Sequence, residues 1–374
     1  MEPITQALLG AATAEIVAGR ELRGRALGWG AAIGMSPDLD VLLGGLHDGY
    51  GEWLYHRGTT HSLWFGFVMG PVLGWILWRW RDGGFEQTLP AWIKLATVAL
   101  VTHPLLDGFT PYGTQFFAPF VRDRFAWNGV AIVDPFYSIV LGAGVVCAAM
   151  RRRPDAWRRR RLAAALAFST AYLLAGLGVN AWAVRDLHDA LAAEIERTGA
   201  GTIERIRAYP TVFQPWLRSF VLRTPKTVLV GLHSWQEAGC PAWQTHARPP
   251  ATPAIRAVQS SWEGQLLEWF ADGDVATFVT RESEGVSRVR IEDLRYSWAS
   301  PNARGLWGIE ARVDRRGEVM GGIARLDRIT AEADDFARIG SLLRGRLPEA
   351  GDGWHRPAHC DGATSPKPLP SLAR

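Results

Sequence analysis

The feature that most constrains this chain is a set of long apolar runs confined to its first half, with His and Asp residues set inside or beside them. A helix needs about 20 mostly apolar residues to cross a bilayer. Runs of that character are Leu63–Trp80, Ile93–Leu106, Val130–Met150 and Leu162–Trp182, with a weaker one, Leu27–Leu46, that contains two aspartates. Ile4–Ala18 is shorter and reads as a partial span or an interfacial helix. A cleaved signal peptide is not expected there, because Glu2 stands where basic residues would precede the apolar part.

Composition matters because it hides this asymmetry. Over 374 residues the hydrophobic share is 48%, the charged share 21% and the net charge +4. Those globular-looking totals average an apolar segment, 1–184, with a polar, mixed-charge segment, 185–374. Several of the 18 tryptophans (Trp78, Trp80, Trp92, Trp127) sit near run ends, where membrane–water interfaces favour aromatic rings. The apolar content excludes disorder for most of the chain, and the lack of a period excludes collagen and coiled coil. Three cysteines (Cys147, Cys240, Cys360) are too few for a disulfide scaffold or a Cys-rich zinc module. Basic residues fall in short blocks beside apolar runs rather than on a groove-binding motif, so membrane lipids are expected partners and nucleic acid is not.

Orientation follows from where Lys and Arg accumulate. Arg20, Arg23 and Arg25 precede Leu27–Leu46, Arg79 and Arg81 follow Leu63–Trp80, and Arg151–Arg153 with Arg158–Arg161 fill the last loop. Placing all three clusters in the cytoplasm gives one path. It puts loops 47–62 and 107–129, and everything after Trp182, on the outer side. Arg122 and Arg124 in an outer loop are an exception.

The expected fold class is therefore an α-helical membrane domain of about five to six helices, some kinked, followed by a small β-rich or α+β soluble domain. The boundaries read as membrane domain 1–184, amphipathic linking helix 185–205, soluble domain 206–347 and disordered tail 348–374, the tail being rich in Pro, Gly and Ser. Strand-like runs are Val228–Leu232, Ala276–Thr280, Ser287–Ile291 and Leu306–Val313. No internal repeat is seen.

Chemistry concentrates in the first half. Pro37-Asp38-Leu39-Asp40 lies in the second run, and His56-Arg57-Gly58-Thr59-Thr60-His61-Ser62 precedes the third. His103-Pro104-Leu105-Leu106-Asp107 ends the fourth, and Asp134-Pro135 sits early in the fifth. A charged group at membrane depth costs at least ~2.5–3.5 kcal/mol, so each needs a partner or a function. The charge-derived path places all of them on the outer side, and the adjoining prolines allow broken helix around a shared polar pocket. In that reading the cytoplasmic half contributes no ionisable group. Imidazole with carboxylate, and no Cys, suits Zn, Mn or Fe. His103 and Asp107, four apart, share a helix face.

Each element also has a plain reading. His103 and Asp107 suit an intrahelical salt bridge, Asp38 and Asp40 a helix cap and a solvated turn. His56 and His61 suit a wet loop, and Asp134 before Pro135 a helix start. His188, His233, His246, His355 and His359 have no partner spacing and are read as structural.

Taken together and in order, these motifs, with the opening Met1-Glu2-Pro3-Ile4-Thr5-Gln6-Ala7-Leu8-Leu9-Gly10 and Thr110-Pro111-Tyr112-Gly113-Thr114, resemble the YdjM-like, LexA-regulated bacterial inner-membrane family of metal-dependent hydrolases. The resemblance covers the first ~180 positions, about half the chain. It implies a multi-pass inner-membrane location and a metal-dependent hydrolase activity. One departure is Gln6, where many members carry His, so the site has one ligand fewer or Gln6 coordinates through its oxygen. The His-x-x-x-acid pattern is more distantly similar to zinc-dependent phospholipase C and P1-type nucleases, which points to phosphoesters.

The expected activity is a membrane-embedded hydrolase with a divalent metal, zinc first and Mn or Fe as alternatives, as one or two ions. The expected ligands are Asp38, Asp40, His56, His61, His103 and Asp107. Asp40 or Asp134 is the expected general base, and Arg57 the expected holder of an anionic substrate group, on a lipid-linked or phosphoester substrate. The rival readings are an intramembrane transporter or proton pathway, and a non-enzymatic envelope-stress protein. Oligomeric state is not read from the sequence.

Overall fold

The computed structural model describes residues 1–83, 88–211, 214–282, 285–297, 305–327, 347–351 and 353–360. They fall into two compact units, Met1–Gly178 and Val179–Arg374.

The first unit is helical: α1 (Pro3–Leu22), α2 (Arg25–Met35), a 3-10 segment (Ser36–Gly45), α3 (Gly51–Tyr55), a 3-10 turn (Thr59–His61), α4 (Leu63–Arg81), α5 (Leu89–Gly108), α6 (Pro135–Ala149) and the start of α7 (Asp155–Arg197). Glu2 caps α1 by accepting from the N–H groups of Ile4 and Thr5, and Arg23 ends it in the left-handed region. Far from lying in an interface, α1 is buried along Ala11, Ala12, Ala14, Ala18 and Leu22, because its small residues let neighbouring backbones come close. A Cβ at Gly10 would sit 2.9 Å from the Gly34 Cα of α2. The same device joins α4 to α5. Gly66, Gly70 and Gly74 recur every four residues, and a Cβ at Gly74 would lie 2.6 Å from the Ile93 Cα.

The weaker run Leu27–Leu46 is not one continuous α-helix. Helix α2 stops at Met35, and Pro37 opens a 3-10 stretch running to Gly45. The tighter winding of this segment buries Asp40 while turning Leu39, Val41, Leu42 and Leu43 outward. By length and composition α5 and α7 can each cross a membrane, and the Gly51–His61 and Leu63–Arg81 pair, bent by 60°, makes a third if taken as one span. Helix α6 is apolar but shorter, because Val130–Asp134 is irregular and the helix starts only at Pro135. Where five to six helices were expected, the described residues carry seven α-helices, α1 to α7, of which two or three meet the length and composition of a span.

The second unit carries two four-stranded antiparallel meanders, β1 (Arg205–Thr211), β2 (Gln214–Arg223), β3 (Thr227–Ser234), β4 (Ala242–Ala247) and β5 (Val275–Arg281), β6 (Ser287–Asp293), β7 (Trp307–Val313), β8 (Val319–Asp327). Between them lie α8 (Pro253–Gln259) and α9 (Trp262–Phe270). Ala183, Leu187, Leu191 and Ile195 repeat every four residues along α7 and pack on Ala208, Phe220, Leu222, Leu229 and Trp243. The opposite face of that sheet, through Tyr209, Val221 and Val230, meets Ala276, Phe278 and Leu294.

The expected runs fall in β3, β5, β6 and β7. Strands β1, β2, β4 and β8 lie outside the expected runs, and in β1 and β2 Arg residues and Pro210 break the apolar alternation. Residues 185–197 continue α7 rather than forming a separate helix. The tail expected to be disordered is ordered in part. His355 N donates to Trp243 O at 2.7 Å, Trp243 N donates back to His355 O at 3.0 Å, and Cys360 forms a disulfide with Cys240. Leu347 packs with Leu217, Leu232 and Ala242. The pairing of two distant cysteines could not be read from their number alone. Residues 361–374 lie outside the described residues.

Candidate metal centre

Three elements of the first unit deliver four side chains to a single point. Asp38 comes from the 3-10 segment after Pro37, and His61 from the turn ahead of α4. His103 and Asp107 lie one turn apart at the end of α5. One ligand-type atom from each lies within 4.8 Å of all the others. His61 Nε2 is 2.9 Å from His103 Nε2, and Asp38 Oδ1 is 3.2 Å from the former and 3.4 Å from the latter. Asp107 Oδ2 lies 3.4 Å from each imidazole Nε2. A tetrahedron with metal–ligand bonds of 2.0–2.1 Å has edges of about 3.3–3.4 Å, so these separations suit zinc with nitrogen and carboxylate ligands.

The proton inventory agrees. His103 Nδ1 donates to the Gly34 carbonyl at 2.5 Å, and His61 Nδ1 faces Asp40 Oδ2 at 3.0 Å. Each acceptor fixes the proton on Nδ1, leaving both Nε2 lone pairs aimed at each other. Two bare acceptors at 2.9 Å would repel, and a proton shared between them or a cation beside them makes the contact favourable. Asp107 Oδ2 is buried with no hydrogen-bond partner, and it is the carboxylate atom that completes the cluster. Asp38, Asp40 and Asp107 face two adjacent cations, Arg57, whose Nη2 is 3.2 Å from Asp107 Oδ1, and the Met1 amino group, which donates to the same oxygen. A divalent ion would offset the remaining negative charge. The donor set therefore fits one such ion.

The remaining expected ligands stand one step back. Asp40 accepts from the His56 ring at 2.7 Å, from the Arg57 N–H at 3.1 Å and from the Thr60 hydroxyl at 2.7 Å, besides facing His61. It is the carboxylate that orients the clustered His61 imidazole. His56 is held by Asp40 through Nδ1, and its ring is 18% exposed. Arg57, in the left-handed region at φ 60°, donates to the Thr110 hydroxyl at 2.7 Å and lies 4.8 Å above the Tyr112 ring. It is buried against Asp107, not open to a substrate anion. Asp134 is not among the clustered side chains. It caps α6 by accepting from Tyr137 N–H at 3.1 Å, and its other oxygen accepts from the Tyr172 hydroxyl at 2.8 Å. The helix-start reading holds for it.

Gln6 reaches the centre through its amide nitrogen, which donates to Asp107 Oδ1 at 3.0 Å and to the His103 carbonyl at 3.3 Å. It thus steadies a ligand carboxylate. Glu15, also buried in α1, went unnoticed in the sequence, so ionisable groups are not confined to the clustered region. Its signal in the sequence is a carboxylate set inside the apolar run Ile4–Ala18. In the second unit His233, read as structural, has a partner that spacing did not reveal: its Nε2 is 2.7 Å from Asp186 Oδ2.

Comparison with known proteins now bears on this arrangement. The family model described as YdjM inner membrane protein matches residues 1–183. Residues 1–183 are thus similar to the YdjM inner membrane protein family. The matched segment contains every clustered side chain. A 111-residue stretch is 38% identical to the inner membrane protein YbcI of Escherichia coli (strain K12), covering 29% of this chain. The match spans 61% of that relative's length. No solved structure matches.

Proposed function

We propose that this membrane protein is a divalent-metal-dependent hydrolase, with zinc held by Asp38, His61, His103 and Asp107. The observation that carries the reading is the set of short separations among four buried or part-buried ligand atoms, two of them imidazole Nε2 atoms freed by acceptors on Nδ1. A divalent ion there would supply Lewis acidity toward a carbonyl or phosphoryl oxygen and lower the pKa of a water toward ~7.

This chain's own groups do the rest. Asp40 holds the His61 and His56 rings in place. Among the described residues, His56 is the part-exposed imidazole beside the cluster, and it would pass a proton between water and a leaving group. Arg57 and the Gln6 amide hold Asp107 by its Oδ1, leaving Oδ2 for the ion. The Lys/Arg distribution favours a site on the outer side of the inner membrane, with the second unit outside the cytoplasm. A Cys240–Cys360 disulfide agrees with an oxidising compartment.

Elemental analysis of detergent-purified protein tests the reading. The expectation is about one zinc, manganese or iron per chain and near-zero metal in the His103→Ala/Asp107→Ala double variant. Equal, near-zero metal in both overturns it. Glu15 favours a second reading, a proton or ion pathway through the helical unit. Proteoliposome flux that survives chelation would select it.

A further inference from the structure

The side of the metal centre that reaches the surface is built from apolar residues. Of the four clustered side chains, Asp38 is 14% exposed, while His61, His103 and Asp107 are fully buried. On the 3-10 segment that carries Asp38, two leucines are exposed, Leu39 at 64% and Leu42 at 79%, while Asp40 faces inward.

A second apolar element adjoins the site. Gln115 N donates to Arg57 O at 3.0 Å, and Leu63 N donates to Phe116 O at 3.0 Å, so the loop after α5 is fastened to the residues that carry His61. Its tip presents Phe120, 76% exposed, 6.3 Å from the Trp64 ring of α4. Arg122 and Arg124 follow that tip directly. These are the two cations that stood against the charge-derived orientation. Arg124 lies 5.3 Å from the Tyr112 ring, which also carries Arg57 at 4.8 Å. Apolar side chains flanked by arginines make the pattern of a segment seated at a lipid interface, rings in the acyl region and cations at the phosphates.

We propose that the substrate is a lipid-borne phosphoester taken laterally from the bilayer, its acyl chains lying against Leu39, Leu42 and Phe120 and its phosphate reaching the centre past Asp38. The proposal rests on the metal-hydrolase reading and adds the substrate class to it. The occupant is argued from continuity: the exposed apolar faces run on from helices similar to those of an inner membrane protein family, and a water-soluble substrate has no reason to approach across leucines. Hydrolysis breaks one P–O bond, water giving its oxygen to phosphorus and a proton to the leaving alkoxide.

Two measurements on the full chain in nanodiscs test it. In a Cys147→Ser background, Leu42→Cys and Phe120→Cys carry a bimane label. Doxyl-labelled phosphatidylcholine should quench both at least threefold more than aqueous iodide does, and preferential quenching by iodide overturns the proposal. The second arm compares zinc-loaded turnover of phosphatidylglycerol with that of bis(4-nitrophenyl) phosphate. The Leu39→Asn/Leu42→Asn variant should lower the lipid-to-soluble ratio at least tenfold. An unchanged ratio, or wild-type protein that cleaves the soluble ester and leaves the lipid intact, overturns the lipid assignment alone. Zinc-loaded protein that cleaves neither overturns the hydrolase reading and this inference with it.

Discussion

His61 Nε2 and His103 Nε2 lie 2.9 Å apart, although each ring already donates its Nδ1 proton elsewhere, to Asp40 and to the Gly34 carbonyl. Two neutral imidazoles arranged this way cannot hydrogen-bond to each other, and the arrangement becomes favourable once a cation shares their lone pairs.

The first prediction concerns the carboxylate behind His61. Asp40→Asn keeps the size of the side chain but weakens its hold on both His rings. Metal affinity should fall about 10–100-fold, as outer partners of a metal site usually require. A competition titration against a chromogenic chelator reads the shift.

His56→Ala separates binding from proton transfer. The His56 ring meets Asp40 and lies outside the group of four clustered side chains. Metal content should stay at the wild-type level, while hydrolysis falls by about 10²-fold or more, the range a positioned acid–base group supplies. Loss of metal in this variant would return His56 to the ligand set.

Asp134 gives a contrasting case. Asp134→Ala removes the α6 cap and the acceptor of the Tyr172 hydroxyl. The expected cost is about 1–2 kcal/mol of stability with metal content unchanged, seen as a lower melting temperature in detergent and an equal zinc signal.

The α4–α5 contact depends on glycine. A Cβ at Gly70 would fall 2.5 Å from the Thr97 Cα, whereas one at Gly28 meets nothing within 4 Å. Gly70→Val should destabilise the helical unit by about 1–3 kcal/mol, as overpacking does, and Gly28→Ala should not. Thermal aggregation of the two variants side by side measures the difference.

For the second unit, Cys240→Ser opens a link between residues 120 apart in sequence. The loss should be about 2–4 kcal/mol, and the segment that pairs with Trp243 should become protease-sensitive. Limited proteolysis with mass spectrometry reports the cut.

The sequence by itself determined that the first half is apolar helix, that His and Asp side chains gather near its run ends, and that strands follow. Hydropathy and periodicity are local properties, and the residues of β3, β5, β6 and β7 carried them openly. It also placed Asp38, His61, His103 and Asp107 among six expected ligands, because such groups are too costly in an apolar setting to stand unpartnered.

Only the tertiary structure decided their roles. Whether a carboxylate binds a metal, turns a histidine or caps a helix depends on which atoms lie within about 3 Å of it, and chain spacing does not set that distance across separate elements. So Asp40 stands behind His61, Asp134 serves α6, and Gln6 steadies Asp107. Leu27–Leu46 is not one continuous α-helix for the same reason: Pro37 and the pull of Asp38 and Asp40 toward their partners outweigh the hydropathy of the run.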